Sequence, residues 1–117
     1  MVAQVTVKDL ADSVSLKNWT PAADLTVPIT GGYAGDMLSW VMGRAERGAV
    51  WMTIMSNQNV AAVALMADVA CVVLTEGVEP DESLLAQART RGLPLFTSPL
   101  STYAFSCRLG ALISSIF

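Results

Sequence analysis

Two short apolar segments constrain the fold of this chain more than any other feature. Residues 49–55 and 71–75 carry no charge and are apolar at nearly every position. A strand loses its alternation of apolar and polar residues when helices cover both faces of the sheet, as in parallel α/β domains. Each segment is followed by a stretch with helical spacing, residues 59–66 and 82–91. The sequence therefore predicts an α/β fold with parallel strands.

Strand and helix patterns alternate four times after residue 25, which extends this prediction to a whole domain. Parallel neighbours are joined by right-handed crossover helices that cover the sheet. A chain of 117 residues has room for one domain. We predict a single domain over residues 1–117, with a three-layer α/β/α fold and a mainly parallel sheet of four or five strands. The other predicted elements are strands at residues 25–29 and 93–97 and helices at residues 6–14, 36–46 and 102–116.

The composition favours association with another protein surface. Hydrophobic residues make up 53% of the chain and charged residues 15%, which is more apolar than an average domain. A domain of this size has a limited interior. Part of the apolar excess is therefore expected to cover an interface, in a homodimer or with a docking protein partner.

Neither a membrane nor a nucleic acid is expected as a partner. The longest stretch with few charges, residues 50–67, has several uncharged polar side chains near its centre, which argues against a transmembrane helix. The first residues have neither the basic nor the apolar region of a secretory signal, so the predicted location is cytoplasmic. The net charge is −3 and the seven cations are scattered, so no basic surface for nucleic acid is predicted.

Catalysis is not predicted for this chain. Because the sequence has no histidine, no general base is available to activate a serine or a cysteine. Cys71 and Cys107 lie far apart in apolar contexts and are predicted to be buried free thiols. A zinc site would lack ligands, and neither a metal nor a cofactor is predicted. Four acidic residues are interpreted as a solvated turn and helix start: Glu76, Glu79, Asp81 and Glu82.

Three predicted loops at the carboxyl ends of the strands carry the candidate binding residues. Ligands of parallel α/β sheets bind at this edge, where loops lead into helix N-termini with unpaired N–H groups. The first loop has three glycines, which leave room for a close approach. The predicted pocket is neutral, rich in donors and suited to a phosphate or a nucleotide. Its residues are Thr30, Gly31, Gly32, Tyr33, Gly35 and Asp36, then Ser56, Asn57 and Gln58, then Thr97, Ser98, Ser101 and Thr102.

A purely structural interpretation of the same loops stays open. Serine, threonine and asparagine commonly cap helices, and capping alone would explain the second and third loops. Capping does not require three glycines, so the first loop favours a close approach by a ligand or by another subunit, with Tyr33 stacking on either. Asp36 would serve as a helix cap, as a partner of the helix dipole or as a magnesium ligand. The loop matches neither the phosphate-binding loop of nucleoside triphosphatases nor the dinucleotide fingerprint.

Several of these segments together resemble the DRTGG domain family. That family looks like the N-terminal domain of HPr kinase/phosphatase, and it occurs in phosphotransacetylases and in CBS-domain inorganic pyrophosphatases. Many members have an Asp-Arg pair where residues 56–59 of this chain carry no charge. The resemblance extends over residues 10–112 and rests on the sequences TGGYAGD (30–36), LS (38–39), TEGVEP (75–80), GLPL (92–95), TSP (97–99) and TY (102–103).

The resemblance implies a homodimeric α/β module with a regulatory role and no enzymatic activity of its own. The main hypothesis is therefore a regulatory or interaction module that senses an adenine nucleotide or a phosphorylated metabolite at the three loops. Two alternatives stay open: a small phosphotransfer or hydrolytic enzyme that uses Asp36 with magnesium, and a structural docking subunit that binds no ligand. The missing Asp-Arg pair weighs on the sensing hypothesis, because a charged ligand would lose that contact.

Overall fold

Five strands and five helices form the structure, a computed structural model that describes residues 4–114. All five strands belong to one mixed sheet. The strands are β1 (Lys17–Asn18), β2 (Gly31–Ala34), β3 (Ala49–Thr53), β4 (Cys71–Leu74) and β5 (Leu95–Thr97). The helices are α1 (Val7–Ser13), α2 (Leu38–Arg44), α3 (Asn59–Ala67), α4 (Glu82–Arg91) and α5 (Thr102–Ser114).

The strand order explains why helices cover both faces of the sheet. The order is β1-β5-β4-β3-β2, with parallel pairing from β2 to β5 and antiparallel pairing of β1 with β5. Since β2 to β5 lie side by side in chain order, right-handed crossovers place α2, α3 and α4 on one face. Helices α1 and α5 pack on the other face. The predicted three-layer α/β/α fold with a mainly parallel sheet is confirmed.

The two central strands are buried at every position, as their apolar sequences predict. Their side chains alternate between two separate cores. Val50 and Val73 face α1 and α5, whereas Trp51, Val72 and Leu74 face α2, α3 and α4. Each face of the sheet therefore has its own apolar cluster, and neither face of these strands reaches water.

The first parallel strand does not lie where the sequence predicts it. Residues 25–29 form no strand of the sheet; they run antiparallel to the start of the chain, with an isolated bridge between Thr6 and Pro28. Pro28 has no N–H to donate to a ladder, which disfavours a strand at this position. The strand is instead the glycine-rich β2, which pairs with β3 in register from Gly31 with Ala49 to Ala34 with Met52. Pairing with a buried strand thus overrides the low strand propensity of glycine.

Side chains at the N-cap positions of α1 and α4 bond the first turn of the helix, whereas the N-cap residues of α2 and α3 make no such bond. Thr6 and Asp9 form a capping box at α1, and Asp81 accepts a hydrogen bond from the Leu84 N–H at α4. Helix α2 begins at Leu38 without a side-chain cap, so it is shorter than the predicted 36–46. The predicted end of the last helix at residue 116, and the apolar residues there, lie outside the described residues. Within residues 4–114, every helix is too short or too polar to cross a bilayer.

Candidate functional site

The stretch from Thr30 to Asp36 is split between the two ends of β2. The Thr30 N–H donates to the Gly48 carbonyl oxygen at 3.0 Å, and the Thr30 hydroxyl donates to the Arg47 carbonyl oxygen at 2.7 Å. Both partners precede β3, so Thr30 lies at the amino edge of the sheet. Asp36 follows β2 at the carboxyl edge. The structure therefore does not bring together all the residues predicted for the first loop.

The glycines of this stretch serve packing within the chain. A Cβ atom on Gly32 would lie 2.7 Å from Leu109 Cδ2, so this glycine permits α5 to pack closely on β2. A Cβ atom on Gly35 would lie 3.0 Å from the Tyr33 ring, whereas the nearest atom to one on Gly31 is 3.8 Å away. None of the three has a positive φ. The close approach expected from a ligand is made, at Gly32, by the chain's own helix.

Asp36 links the ends of two neighbouring strands. Its Oδ1 accepts hydrogen bonds from the Thr53 hydroxyl at 2.8 Å and from the Ile54 N–H at 3.0 Å. It makes no cap for α2, which contradicts the simplest structural interpretation of this residue. The contact joins the loop after β2 to the loop after β3, and the carboxylate group is exposed.

In the second loop, Ser56 and Asn57 make hydrogen bonds within the chain, whereas Gln58 lines a cavity that does not include them. Asn57 Oδ1 accepts from the Asn59 N–H at 2.9 Å, as in an Asx turn, and the Ser56 carbonyl accepts from the Asp81 N–H at 3.0 Å. Gln58 is exposed and lines a cavity of about 200 Å³ between α3 and α4, together with Arg91. Gln58 is thus not joined to the other predicted binding residues.

Every predicted hydroxyl of the third loop takes part in a hydrogen bond within the chain. The Thr97 hydroxyl accepts from the Trp19 indole N–H at 2.9 Å. The remaining contacts are Ser98 Oγ with the Leu100 N–H at 3.1 Å, Ser101 Oγ with the Ala104 N–H at 3.0 Å, and Thr102 Oγ1 with Thr75 Oγ1 at 2.6 Å. Turn formation and helix capping account for Ser98 and Ser101, whereas Thr97 and Thr102 bond side chains that are distant in the sequence.

Glu76 occupies the position where an anion was expected. Its Oε2 accepts a hydrogen bond from the Thr102 N–H at 2.7 Å, at the start of α5. A carboxylate is favourable there because it meets an unpaired N–H group and the positive end of the helix dipole. The Glu76 backbone has φ of 63°, in the left-handed region. This contact could not be predicted from the sequence, since the two residues are distant in the chain and the pattern around Glu76 indicates a solvated turn.

A cleft opens beside this contact, where the connections leaving two adjacent strands diverge. The chain leaves β4 toward the face of α4 and leaves β5 toward the face of α5, which makes a topological switch point. The Lys17 ammonium borders the cleft and lies 4.0 Å from the centroid of the Trp19 ring. The cleft has a volume of about 440 Å³ and is lined by Ser15, Leu16, Lys17, Gly77, Glu79, Thr97, Ser98 and Pro99.

The two cysteines differ in their exposure. Cys71 is buried, and burial raises the pKa of its thiol to about 12. Cys107 is exposed on α5, so the prediction that both thiols are buried is wrong for Cys107, whose helix face points away from the core. Among residues 4–114, no group of three or more histidine, cysteine or acidic side chains is arranged to hold a metal ion.

Apolar side chains are exposed around α2 and at the carboxyl edge. Met37 is 58% exposed, Trp40 50% and Tyr103 80%, and Ile54 is also exposed. The Arg44 guanidinium lies 3.8 Å from the centroid of the Trp40 ring. Asp36, which precedes Met37 in the chain, accepts a hydrogen bond from the Ile54 N–H. This surface is a feature of the molecule that the three-loop pocket did not include.

The chain is a small α/β/α domain whose polar loops are held by hydrogen bonds within the chain. The model of the DRTGG domain family matches residues 34–112, so the chain belongs to this family, as its motifs predict. The fold is similar to that of the CBS and DRTGG domains of the regulatory region of Clostridium perfringens pyrophosphatase, solved in complex with the activator diadenosine tetraphosphate. The TM-score is 0.70 and the identity 13%, over 89% of this chain and 45% of that chain. No curated protein sequence matches the chain significantly.

Proposed function

We propose that this chain is a non-catalytic regulatory module that acts by association, as a homodimer, and not by turning over a substrate. One contrast carries the proposal. The polar side chains at the carboxyl ends of the strands are engaged within the chain, whereas large apolar side chains such as Trp40 and Tyr103 face solvent. Large apolar side chains exposed on a small domain are typical of a surface that binds another protein.

The alternative of a magnesium-dependent enzyme has little support from the geometry. Asp36 Oδ1 is held by two donors from the end of β3, which orients the carboxylate toward its own sheet. A magnesium site for phosphoryl transfer needs further oxygen ligands near that carboxylate. The regulatory interpretation agrees with the family and with the similar structure, which comes from the regulatory region of a larger protein.

Sedimentation velocity tests the association. We expect the sedimentation coefficient to rise with protein concentration toward that of a dimer, because burial of the exposed apolar side chains favours association. A coefficient that stays at the monomer value over the whole accessible concentration range would overturn the homodimer.

The cleft beside Lys17 favours a second function for the module, the sensing of an adenine nucleotide or a phosphorylated metabolite. Its volume of about 440 Å³ lies within the range of small-molecule sites, and it is located at the switch point of the sheet. Lys17 would pair with a phosphate group of the ligand. Glu79 also lines the cleft, and its carboxylate would disfavour a phosphate placed close to it, so the phosphate is expected beside Lys17.

A thermal-shift series with ATP, diadenosine tetraphosphate and inorganic phosphate tests the sensing function. A ligand that binds the folded state alone at a hundred times its Kd stabilises it by about 2.7 kcal/mol, so a rise in Tm is expected for at least one nucleotide. Lys17→Met should abolish the rise. Lys8→Met is the matched control, because Lys8 is exposed and pairs with Asp12 on α1, outside the residues that line the cleft. The absence of a shift with every compound would contradict sensing and leave the association intact.

A further inference from the structure

One face of α2 is exposed, and its large and small side chains would match those of a second, antiparallel copy of the same helix. Met37, Trp40, Gly43 and Arg44 lie on this face, because residues three and four apart are neighbours on a helix. We call these four residues the α2 face. Val41, at a different angle around the helix, is fully buried against the sheet. The α2 face is thus separate from the side of the helix that packs in the monomer.

The α2 face lies at an open margin of the molecule. Strand β2 is at the end of the sheet and pairs with β3 alone, and α2, the crossover between these two strands, has α3 as its neighbour in the layer. A second copy of the chain can pair with the unpaired backbone groups of an edge strand and cover the helix beside it. At the opposite margin, the short antiparallel strand β1 and the Trp19 side chain cover β5.

Charge and size are arranged on both sides of Trp40. Arg44 follows Trp40 by four residues on α2, and Asp36 lies in the loop that leads into the helix, four residues before Trp40. If two copies of α2 pack antiparallel with Trp40 on a two-fold axis, the loop that carries Asp36 in each copy comes close to Arg44 of the other. The same axis places Met37, which is 58% exposed, opposite Gly43, around which a Cβ atom would meet nothing within 4 Å. A bulky side chain thus meets a position that has none.

The spacing of the layers agrees with this arrangement. Adjacent strands lie about 4.8 Å apart, and a crossover helix lies roughly above the midpoint between its two strands. A two-fold axis that places two β2 edges side by side would separate the two α2 axes by about two strand spacings, close to the 8–10 Å of packed helices. Pairing of the edges and packing of the helices are therefore compatible with one axis.

We propose that a second copy of this chain binds the α2 face about a two-fold axis through Trp40, with the β2 edges antiparallel across it. Asp36 and Arg44 form two reciprocal ion pairs, and Met37 fills the space above Gly43. The inference rests on the proposed homodimer and names its interface. Asp36 Oδ1 makes both internal hydrogen bonds, and the exposed carboxylate presents its other oxygen to Arg44 of the second copy.

Gly43→Gln is the decisive variant, because it fills the space that the proposal assigns to Met37. A Cβ atom at this position meets nothing within 4 Å in the monomer, and replacing a helical glycine strengthens the helix. Gly110→Gln is the matched control: Gly110 is exposed within α5 and also has nothing within 4 Å of a Cβ position. We expect Gly43→Gln to raise the dimer Kd by about tenfold or more and Gly110→Gln to leave it unchanged.

A second pair of variants tests the ion pairs. Arg44→Glu would place two carboxylates opposite each other at each end of the face, and we expect the dimer Kd to rise by about tenfold or more. Adding Asp36→Asn keeps an oxygen acceptor for Thr53 and Ile54 but removes the repulsion, so it should recover part of the affinity. Thermal melts monitored by circular dichroism would show that each variant is folded.

The outcomes separate this interface from the dimer itself. A monomeric wild-type chain would overturn both the homodimer and the interface. A wild-type dimer whose Kd is the same in Gly43→Gln and Arg44→Glu would overturn the interface alone. Equal effects of Gly43→Gln and Gly110→Gln on the dimer would also contradict it, because a general change in helix stability would then explain the result.

Discussion

Two tryptophans in successive elements of the chain have opposite environments. Trp51 in β3 has no exposed surface, and its indole N–H donates to the Gly35 carbonyl oxygen at 2.9 Å. Trp40 in α2 is half exposed and contacts the Arg44 guanidinium. The apolar area of Trp51 stabilises the monomer, whereas much of the area of Trp40 stays in water. The difference supports the proposed association at the margin of the sheet that carries α2, where folding leaves apolar surface exposed.

The largest effect is expected from truncating these two tryptophans. Trp51→Ala should lower the free energy of unfolding by about 3–5 kcal/mol, because it leaves a cavity between the sheet and the helices. Trp40→Ala should lower it by less than about 1 kcal/mol in the monomer, since a surface side chain makes few contacts. Urea denaturation at a protein concentration that favours the monomer would measure both values.

The milder Trp51→Phe keeps the comparison measurable if Trp51→Ala does not fold. It retains most of the apolar volume but loses the hydrogen bond to Gly35, for a cost of about 0.5–1.5 kcal/mol. Similar losses for Trp40→Ala and Trp51→Ala would show that the α2 face belongs to the core of the monomer, and the contrast between the two regions would fail.

The next effect in size is expected at Gly32. Gly32→Val should destabilise the fold by about 1–3 kcal/mol, because the new side chain would displace Leu109 and with it α5. Gly31→Ala is the control, and it should change stability by less than about 0.5 kcal/mol, since its nearest neighbour is the Glu46 carboxylate at van der Waals distance. Chemical denaturation of both variants would measure the difference. If Gly32→Val were as stable as Gly31→Ala, the glycine would have a role other than packing.

The sequence predicted the parts of the fold that depend on local pattern. Strands β3 and β4 are apolar at nearly every position, which specifies burial on both faces and, with the intervening helices, a parallel sheet. The cap of α4 at Asp81 and its end at Gly92, with φ of 69°, are also read from residue type alone. In each case the residues that allow the prediction lie in the element itself or within a few residues of it.

The features that the sequence did not predict depend on distant contacts. Gly31 and Gly32 form a strand because β3 pairs with them, and Gly32 is required by Leu109, far along the chain. Glu76 caps a helix that begins many residues later. Capping chemistry and ligand-binding chemistry use the same residue types, so the sequence alone does not separate the hydroxyl groups that line the cleft, Thr97 and Ser98, from Ser101, which bonds the start of α5. Exposure of Trp40 likewise follows from the position of α2 at the end of its layer.

The smallest effect is expected from neutralising Glu76. In the native protein its carboxylate occupies the start of α5, where the sequence predicts an anion. Glu76→Gln keeps an acceptor for the Thr102 N–H but removes the charge at the start of α5, so stability should fall by about 0.3–1 kcal/mol at low ionic strength. Glu79→Gln is the control, because Glu79 lies in the same turn and is exposed like Glu76. Added salt screens exposed charges, so the deficit of Glu76→Gln should shrink as the salt concentration rises while the control stays level. Equal deficits in the two variants at every salt concentration would mean that the general negative charge of the turn matters, and that the carboxylate of Glu76 has no special relation to the helix. Denaturation at two salt concentrations therefore decides whether the Glu76 carboxylate stabilises the N-terminus of α5.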